Sequence, residues 1–407
     1  MGGPRYRTIP SIIVRTFRAG PQVRALHLAA WWPSRIHPHH GNFVQKHVRL
    51  LARTHEVVVV TVQEDTSLPL GSLDVEVRNQ EDGYALIQVY YGRPKWLFRA
   101  AVIGLRAYAY RLGIRKAKAM VHDGAFELIH AHITVDAGII AYLLHHRWAI
   151  PYVITEHSTR FRHLRAFSGL ERYFSRVACR NAAYVLPVTE YLAREMRRNG
   201  LAGNYHVVGN VVNTDLFCPS PARPLPNVPF RLLHVSNLNE RQKNIRGILN
   251  AYAELIKGGT TPVRLTIAGD GDSKLARTHA ATLNLGERIQ FTGPHTEQEV
   301  AALMRGHDAF LLFSNYETQG VVLLEAQACG LPVVATAVGG VVESVEPSTS
   351  QLVGRGNEQK LVRAMRDLLG GNAHHAPERA RAFVVARYSE AAVATALNTV
   401  YQSIHPA

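Results

Sequence analysis

The sequence predicts an α/β protein built from two doubly wound parallel-sheet domains in tandem. Three observations carry that expectation. Short β-branched apolar runs alternate with longer helical stretches along the chain, and such alternation implies parallel sheets. A proline cluster near the middle interrupts the alternation, which then restarts. At 407 residues the chain is too long for one ordinary core.

In the first half, "VRALHLAAWW" (23–32), "HEVVVVTV" (55–62), "FELIHAH" (126–132), "PYVITEHS" (151–158) and "AAYVLPVT" (182–189) read as strands. Between them, "GNFVQKHVRLLART", "WLFRAAVIGLRAYAYRLGIRKAKAM" and "AGIIAYLLHHRW" read as helices. Residues 1–22 mix arginines with apolar residues but lack an h-region and cleavage site, so they read as a loose tail rather than a signal peptide. At 218–229, "CPSPARPLPNVP" holds five prolines in twelve residues and reads as a linker. Beyond it, "FRLLHVSN", "VRLTIAGD", "RIQFTG", "AFLLFSN" and "LPVVATAV" are the strands of the second domain. Two such domains leave a cleft, and ligands of open α/β sheets bind beyond the carboxyl ends of strands.

Hydrophobic residues at 47% and charged ones at 19% describe a soluble globular chain with no run long enough to span a bilayer. Three cysteines without a Cys-x-x-Cys pair exclude a disulfide framework or zinc ribbon and fit a reducing cytosol. The net charge of +15 is uneven. Residues 1–225 carry 29 Lys and Arg against 15 Asp and Glu, a balance of +14, and residues 226–407 carry 17 against 16. The basic half is therefore the one expected to meet an anion: nucleic acid, phospholipid head groups or a phosphorylated substrate. A merely solvated basic surface is the alternative.

At the strand ends, Gly41 precedes a helix whose amides could face a phosphate. His37, His39 and His40 lack a nearby carboxylate or cysteine at ligand spacing, so no metal site is assigned there. His157 stands at the end of the fourth strand, either facing a cleft or bonded at a domain edge. Asn237, Arg241 and Lys243 lie in a polar loop suited to a pyrophosphate or simply solvated. Asp270 and Asp272 in "AGDGD" offer an Asp-x-Asp metal pattern, but the interleaved glycines favour a tight turn. In "ETQGVVLLEAQACG" (317–330), Glu317 and Glu325 bracket an apolar run. Eight positions at about 100° each leave them roughly 80° apart, so both can look into one cleft that also receives the helix N-terminus. Carboxylate acceptors beside a phosphate site suit a nucleotide sugar.

From about residue 25 to 395 the chain resembles the family-4 retaining glycosyltransferases of the GT-B fold. The E-x7-E motif Glu317–Glu325 is the most specific element, supported by "AGDGD", "RIQFTG" and the Gly339-Gly340 pair. The resemblance implies that Glu317 contacts the donor sugar and Glu325 the ribose hydroxyls. It implies that the amides around Gln319, Gly320 and Val321 cap the diphosphate and sugar, and that Lys243 grips the diphosphate. Asn237 stands where the family has an arginine, and Arg241 is its substitute. His157 matches the histidine near the reacting carbon, Gly41 the glycine loop beside the diphosphate, and Asn213 stands where an aspartate is common. Expected domains are 1–217 with about 388–407 for the acceptor, the 218–229 linker, and 230–387 for the nucleotide sugar.

The resemblance further implies a metal-independent enzyme without a cofactor, moving sugar from a nucleotide-sugar donor to a glycan or lipid-linked acceptor with retention. The expected setting is cytoplasmic, with peripheral contact with an anionic membrane at its inner face, in cell-surface polysaccharide or glycolipid synthesis. A phosphorylase or nucleotide-sugar epimerase on the same scaffold is the enzymatic alternative. Nucleic-acid binding is disfavoured because the aromatics do not interleave with the arginines, and a nicotinamide dehydrogenase because no G-x-G-x-x-G follows a strand.

Overall fold

A computed structural model describes residues 5–7, 23–38, 40–93, 99–158, 167–220, 229–258, 262–371 and 376–405. The chain forms two compact units. One comprises Met1–Val188, Ala193–Val208 and Ala394–Ala407; the other Thr189–Leu192 and Gly209–Val393.

The first unit carries an eight-stranded sheet. In chain order its strands are β1 (Arg5–Arg7), β2 (Arg24–Ala29), β3 (Glu56–Glu64), β4 (Leu73–Asn79), β5 (Ala85–Tyr91), β6 (Leu128–His132), β7 (Tyr152–Glu156) and β8 (Tyr184–Pro187). Their spatial order is β1-β4-β5-β3-β2-β6-β7-β8. The five strands expected from sequence form the contiguous parallel run β3-β2-β6-β7-β8, which β5 extends in parallel beside β3, and Pro187 is tolerated because β8 is an edge. Two features differ from the sequence reading. The supposed tail contributes β1, which pairs in parallel with β4. The β4–β5 pair is antiparallel, an added hairpin whose turn "QEDG" was a readable signal.

The second unit carries a parallel six-stranded sheet of β9 (Phe230–Val235), β10 (Val263–Ala268), β11 (Ile289–Gly293), β12 (Ala309–Leu312), β13 (Val333–Thr336) and β14 (Ser350–Val353). Its order is β11-β10-β9-β12-β13-β14, which places a topological switch point between β9 and β12. The short, partly polar "SQLV" of β14 gave no strand signal. Successive residues of β9 and β12 bury on opposite faces: Leu232, Ala309 and Leu311 pack under the helices Ile245–Lys257 and Glu358–Leu369. Leu233, Phe310 and Leu312 pack with Leu323, Leu324 and Phe217 on the other face. Burial on both faces is what makes these strands read as unbroken apolar runs.

The unit boundary lies earlier than the expected 217. Val212 forms a bridge with Ser389 and donates its N–H to Tyr388 O at 2.8 Å. Phe217 is wholly buried in the second core, and Arg381 Nη1 donates to Phe217 O at 2.9 Å. Residues 209–217 and 388–393 therefore pack with the second unit, while 394–407 join the first. Residues 221–228 of the expected linker lie outside the described residues. Among those described, no helix is long and apolar enough to cross a membrane.

Candidate active site

The loops after β9 and β12 flank the switch point, and the structure joins them. After β9, the Asn239 side chain caps the short helix Glu240–Lys243, accepting from Gln242 N at 3.2 Å. Asn244, at φ 51°, ends that turn and caps the next helix. The result points the Lys243 side chain inward, 8% exposed. Its ammonium donates to Glu317 Oε1, and Ser314 Oγ donates to the same oxygen at 2.8 Å. Glu317 is 5% exposed. Asn315 stitches the two loops together, its N–H donating to Gln242 O at 2.7 Å and its Nδ2 to Arg241 O at 3.1 Å. A buried carboxylate is tolerable only when paired and hydrogen-bonded in this way.

Gly339 and Gly340 are required by close approach. A Cβ on Gly339, which sits at φ 57°, would lie 1.9 Å from Glu317 O, and one on Gly340 would lie 2.0 Å from Thr318 O. The glycine pair thus fits under the glutamate loop. Gln319 is buried and accepts from Asn210 N at 3.0 Å and Asn210 Nδ2 at 2.8 Å. Gly320 at φ 76° opens the helix Val321–Ala328, and no side chain caps that helix's first amides. Glu325 sits half-buried on it. Glu317 lies four residues before the helix, so a helical wheel does not govern its direction; the loop and the glycine pair do.

Two further sequence expectations resolve. Asn237 is exposed, and its Oδ1 accepts from Asn239 N at 3.2 Å, an Asx turn within its own loop. Arg241 is exposed with its backbone tied by Asn315. In "AGDGD", Cβ atoms on Gly269 and Gly271 would fall 1.8 Å from Ser236 O and 2.0 Å from Asn237 O. Asp272 Oδ1 accepts from Lys274 N at 2.8 Å. The glycines let this loop pack directly on the backbone after β9, and Asp272 makes a local Asx turn. Sequence reasoning missed His234, whose ring nitrogens meet Leu311 O at 2.9 Å and Ser236 Oγ at 2.8 Å. Burial pushes its pKa down to about 4.

In the first unit, Gly41 at φ 77° caps the helix Asn42–Leu51, and a Cβ there would lie 2.5 Å from Trp31 C. Phe43, two residues on, packs its ring 4.7 Å from that of His157. His157 follows β7 and is 6% exposed. Its loop is fixed by Glu156, a wholly buried carboxylate that accepts from Thr134 N at 2.8 Å and Ser158 N at 2.7 Å. Burial holds the Glu156 pKa above the usual carboxylate value. Ile133 at φ 79° is a strained β-branched residue beside these anchors.

Around His157 the sheet collects four more buried histidines that sequence reasoning did not group. His27 of β2 opposes His130 of β6 in register, and His47 enters from the helix Asn42–Leu51. His132 stacks on His130 with ring centroids 4.4 Å apart. The available signal was "HAH" at 130–132, since residues i and i+2 of a strand share a face. Of the histidines weighed for zinc from sequence, His37 and His40 pair edge to face at 6.0 Å, and His39 lies outside the described residues.

Comparison with known proteins agrees with this architecture. Residues 41–216 match the model "Glycosyltransferase Family 4" and residues 229–371 match "Glycosyl transferases group 1". The chain is 28% identical over 315 residues to a D-inositol 3-phosphate glycosyltransferase of Corynebacterium jeikeium, covering 70% of this chain and 74% of that one. It is 27% identical to the protein of the same name from Mycolicibacterium smegmatis, covering 72% and 73%. Among solved structures, sucrose-phosphate synthase from Thermosynechococcus elongatus superposes with a TM-score of 0.77 at 21% identity, over 94% of this chain and 99% of that one. Anabaena HepE, solved with UDP, gives 0.72 at 17% identity, over 93% and 100%. Both halves of the chain are thus accounted for by one fold and one family, and the chain belongs to the family-4, group 1 glycosyltransferases.

Proposed function

We propose that the chain transfers a sugar from a nucleoside-diphosphate sugar to an anionic glycan or lipid-linked acceptor with retention of configuration, in cell-surface polysaccharide or glycolipid synthesis. The observation that carries the reading is the buried Lys243–Glu317–Ser314 cluster at the β9/β12 switch point, four residues ahead of a helix with uncapped amides. Lys243 meets the leaving diphosphate together with Arg241, and the helix amides around Gln319, Gly320 and Val321 supply partial positive charge. Glu317 then accepts from the donor sugar, and Glu325 from the ribose hydroxyls. In the transfer the bond from the anomeric carbon to the phosphate oxygen breaks and the acceptor oxygen bonds to that carbon on the same face. The acceptor proton passes to the departing phosphate. His157 attends the reacting carbon and Gly41 the diphosphate. No metal is required, because cationic side chains and amides meet the phosphate charge, and one oxygen of Asp272 is engaged by Lys274 N.

A second reading of the acceptor is a phosphorylated polyol. It is favoured by the relatives named D-inositol 3-phosphate glycosyltransferases and by the +14 balance of residues 1–225. We propose that the enzyme works in the cytoplasm and docks reversibly on the inner membrane face. On the helix Arg99–Lys118 the exposed Arg111 and Arg115 accompany exposed Ile103 and Tyr108. Arg106 instead pairs with Asp136, and Lys118 lies 4.4 Å over the Trp148 ring, so two expected cations are engaged. The "RFRHLR" segment lies outside the described residues.

The test is a panel of uridine and guanosine diphosphate sugars, each with lipid-linked, glycan and phosphopolyol acceptors. Nucleoside-diphosphate release and the anomer of the product are followed by NMR. Acceptor-dependent release with a retained anomer supports the reading. Release of sugar phosphate, or epimerisation without acceptor, would replace it with the phosphorylase or epimerase alternative.

A further inference from the structure

We infer that Tyr401 is a positioning residue: acting through His27, it selects the ring tautomer of His132 and, through His132, the charge state of His157. Only the role of His157 rests on the reading above, which places that imidazole at the reacting carbon. The fold explains the connection. His27 of β2 opposes His130 of β6 in register, and His132 lies two residues further on the same pleat face, stacked on His130. His132 in turn carries the His157 ring, with centroids 6.1 Å apart and planes 25° from parallel. One ring nitrogen of His132 and one of His157 come within 4.8 Å. The helix Glu390–Ile404 belongs to this unit from Ala394 onward. His55 Nε2 meets Asn398 Oδ1 at 2.9 Å and His405 Nε2 meets Glu127 O at 3.1 Å, which fixes the helix along its length. The wholly buried Tyr401 therefore delivers its hydroxyl between His27 Nε2 at 3.1 Å and His130 Nδ1 at 2.9 Å.

The remaining links are His27 Nδ1 to His132 Nε2 at 3.1 Å and His130 Nε2 to Thr155 Oγ1 at 2.7 Å. Burial holds His27, His130 and His132 well below the usual histidine pKa, so each ring is neutral and carries one N–H. One proton per ring makes the whole chain run one way or the other. In one direction His132 Nε2–H donates to His27, His27 Nε2–H to Tyr401, Tyr401 O–H to His130 and His130 Nε2–H to Thr155. The ends are then a lone pair on His132 Nδ1 and a Thr155 hydroxyl hydrogen that rotates to seek an acceptor. In the other direction His132 Nδ1 bears the hydrogen. That nitrogen has no hydrogen-bond partner among the described residues, and a ring N–H cannot turn aside, so a buried donor is left unmade. The first direction wins. It sets a lone pair rather than a hydrogen on the His132 nitrogen that His27 does not engage, and a lone pair favours the charged form of a neighbouring imidazole. Other titratable groups stand around His157. His47 of the helix Asn42–Leu51 has its ring 5.4 Å away, the Glu156 carboxyl is bonded within the same loop, and Cys179 lies behind Thr134. A change at Tyr401 reaches His157 by way of His132.

The experiment follows the imidazole nitrogens of the full-length chain, labelled with nitrogen-15 histidine, by NMR across a pH series. His132→Gln and His157→Gln assign the two rings. The parent should show His132 as the neutral Nε2–H tautomer. Tyr401→Phe removes the middle of the chain of hydrogen bonds and Thr155→Val its far end. Each should give a mixture of His132 tautomers. The added Nδ1–H form sets a donor beside His157 and should lower the midpoint of its titration by about half a pH unit or more. Val400→Ala trims the same helix without removing a hydrogen bond of the chain. It should lower the melting temperature and leave both readings unchanged. Where transfer is measured, the pH profile of kcat should move with the His157 midpoint while the donor KM holds. A parent without transfer activity would sink the function proposed above, and the NMR readings would still decide this inference. A parental Nδ1–H tautomer of His132, an unmoved His157 midpoint in the folded variants, or an equal shift in Val400→Ala would each overturn it. If neither variant folds, the parental tautomer decides.

Discussion

The Lys243 ammonium donates to Glu317 Oε1 with both side chains nearly excluded from solvent, although 74 residues separate them in the chain. The strand order produces this contact, since β9 and β12 are neighbours and their carboxyl-end loops must meet. Breaking a buried pair on one side leaves a charge without compensation. Lys243→Ala should therefore destabilise the chain by about 3–5 kcal/mol and abolish transfer. Lys243→Met combined with Glu317→Gln should recover most of the stability in urea titrations but none of the turnover. A single variant with parental stability and activity would remove the pair from both roles.

Glu325 tests the donor site without disturbing the core. It is half-buried on the helix Val321–Ala328. If Glu325 accepts from the ribose hydroxyls as proposed, Glu325→Ala leaves them unpaired, a loss of order 2–3 kcal/mol, and should weaken nucleotide binding by roughly 30- to 150-fold. Calorimetric titration with UDP and GDP reads this directly, and the melting temperature should scarcely move. Equal nucleotide affinity in variant and parent would reject the assignment.

The loop after β9 separates charge from geometry. Asn237 holds an Asx turn, whereas Arg241 extends into solvent from an anchored backbone. Charge-assisted contacts are about twice as strong as neutral ones. Arg241→Ala should lower steady-state turnover far more than Asn237→Ala. The opposite order would show that Asn237 carries the diphosphate contact.

His234 sets a pH dependence for the second unit. Its folded pKa is depressed to about 4 by burial, below the 6.5 of an exposed histidine. Its stabilisation is therefore fully present above about pH 6.5 and is lost as pH falls through 4. The difference amounts to about 3 kcal/mol. Denaturation of parent and His234→Gln at pH 7, 5.5 and 4 should show their stability gap shrinking by that order. A constant gap would mean that the imidazole does not remain neutral in the fold.

Membrane association should be electrostatic. Each cation near an anionic leaflet is worth about 1 kcal/mol and fades within a Debye length. Sedimentation with vesicles containing phosphatidylserine should show binding at low salt and release at about 0.5 M salt. Vesicles of phosphatidylcholine alone should not bind, and Arg111→Ala/Arg115→Ala should weaken the association. Binding indifferent to salt and lipid charge would refute electrostatic docking, and no binding at low salt would refute it and favour a soluble acceptor.

What the sequence determined by itself is local. β-branched runs of strand length, the proline cluster and the Glu317–Glu325 spacing each act over a few residues. They sufficed for two parallel α/β units and for the helix that follows the glutamate loop. Tertiary structure decided what depends on long-range register. The β4–β5 hairpin, antiparallel within itself, joined the sheet through a parallel β5–β3 pairing, and residues 209–217 were drawn into the second unit by Phe217 and Arg381. The Lys243–Glu317 pair exists because β9 lies beside β12. Most of all, His27, His47, His130, His132, His157 and Tyr401 come from three strand ends and two helices, with His27 and Tyr401 374 residues apart in the chain. Periodicity assigns each of these to a buried face, but only the alignment of β2 with β6 and β7 links His132, His27, Tyr401, His130 and Thr155 in one chain of hydrogen bonds.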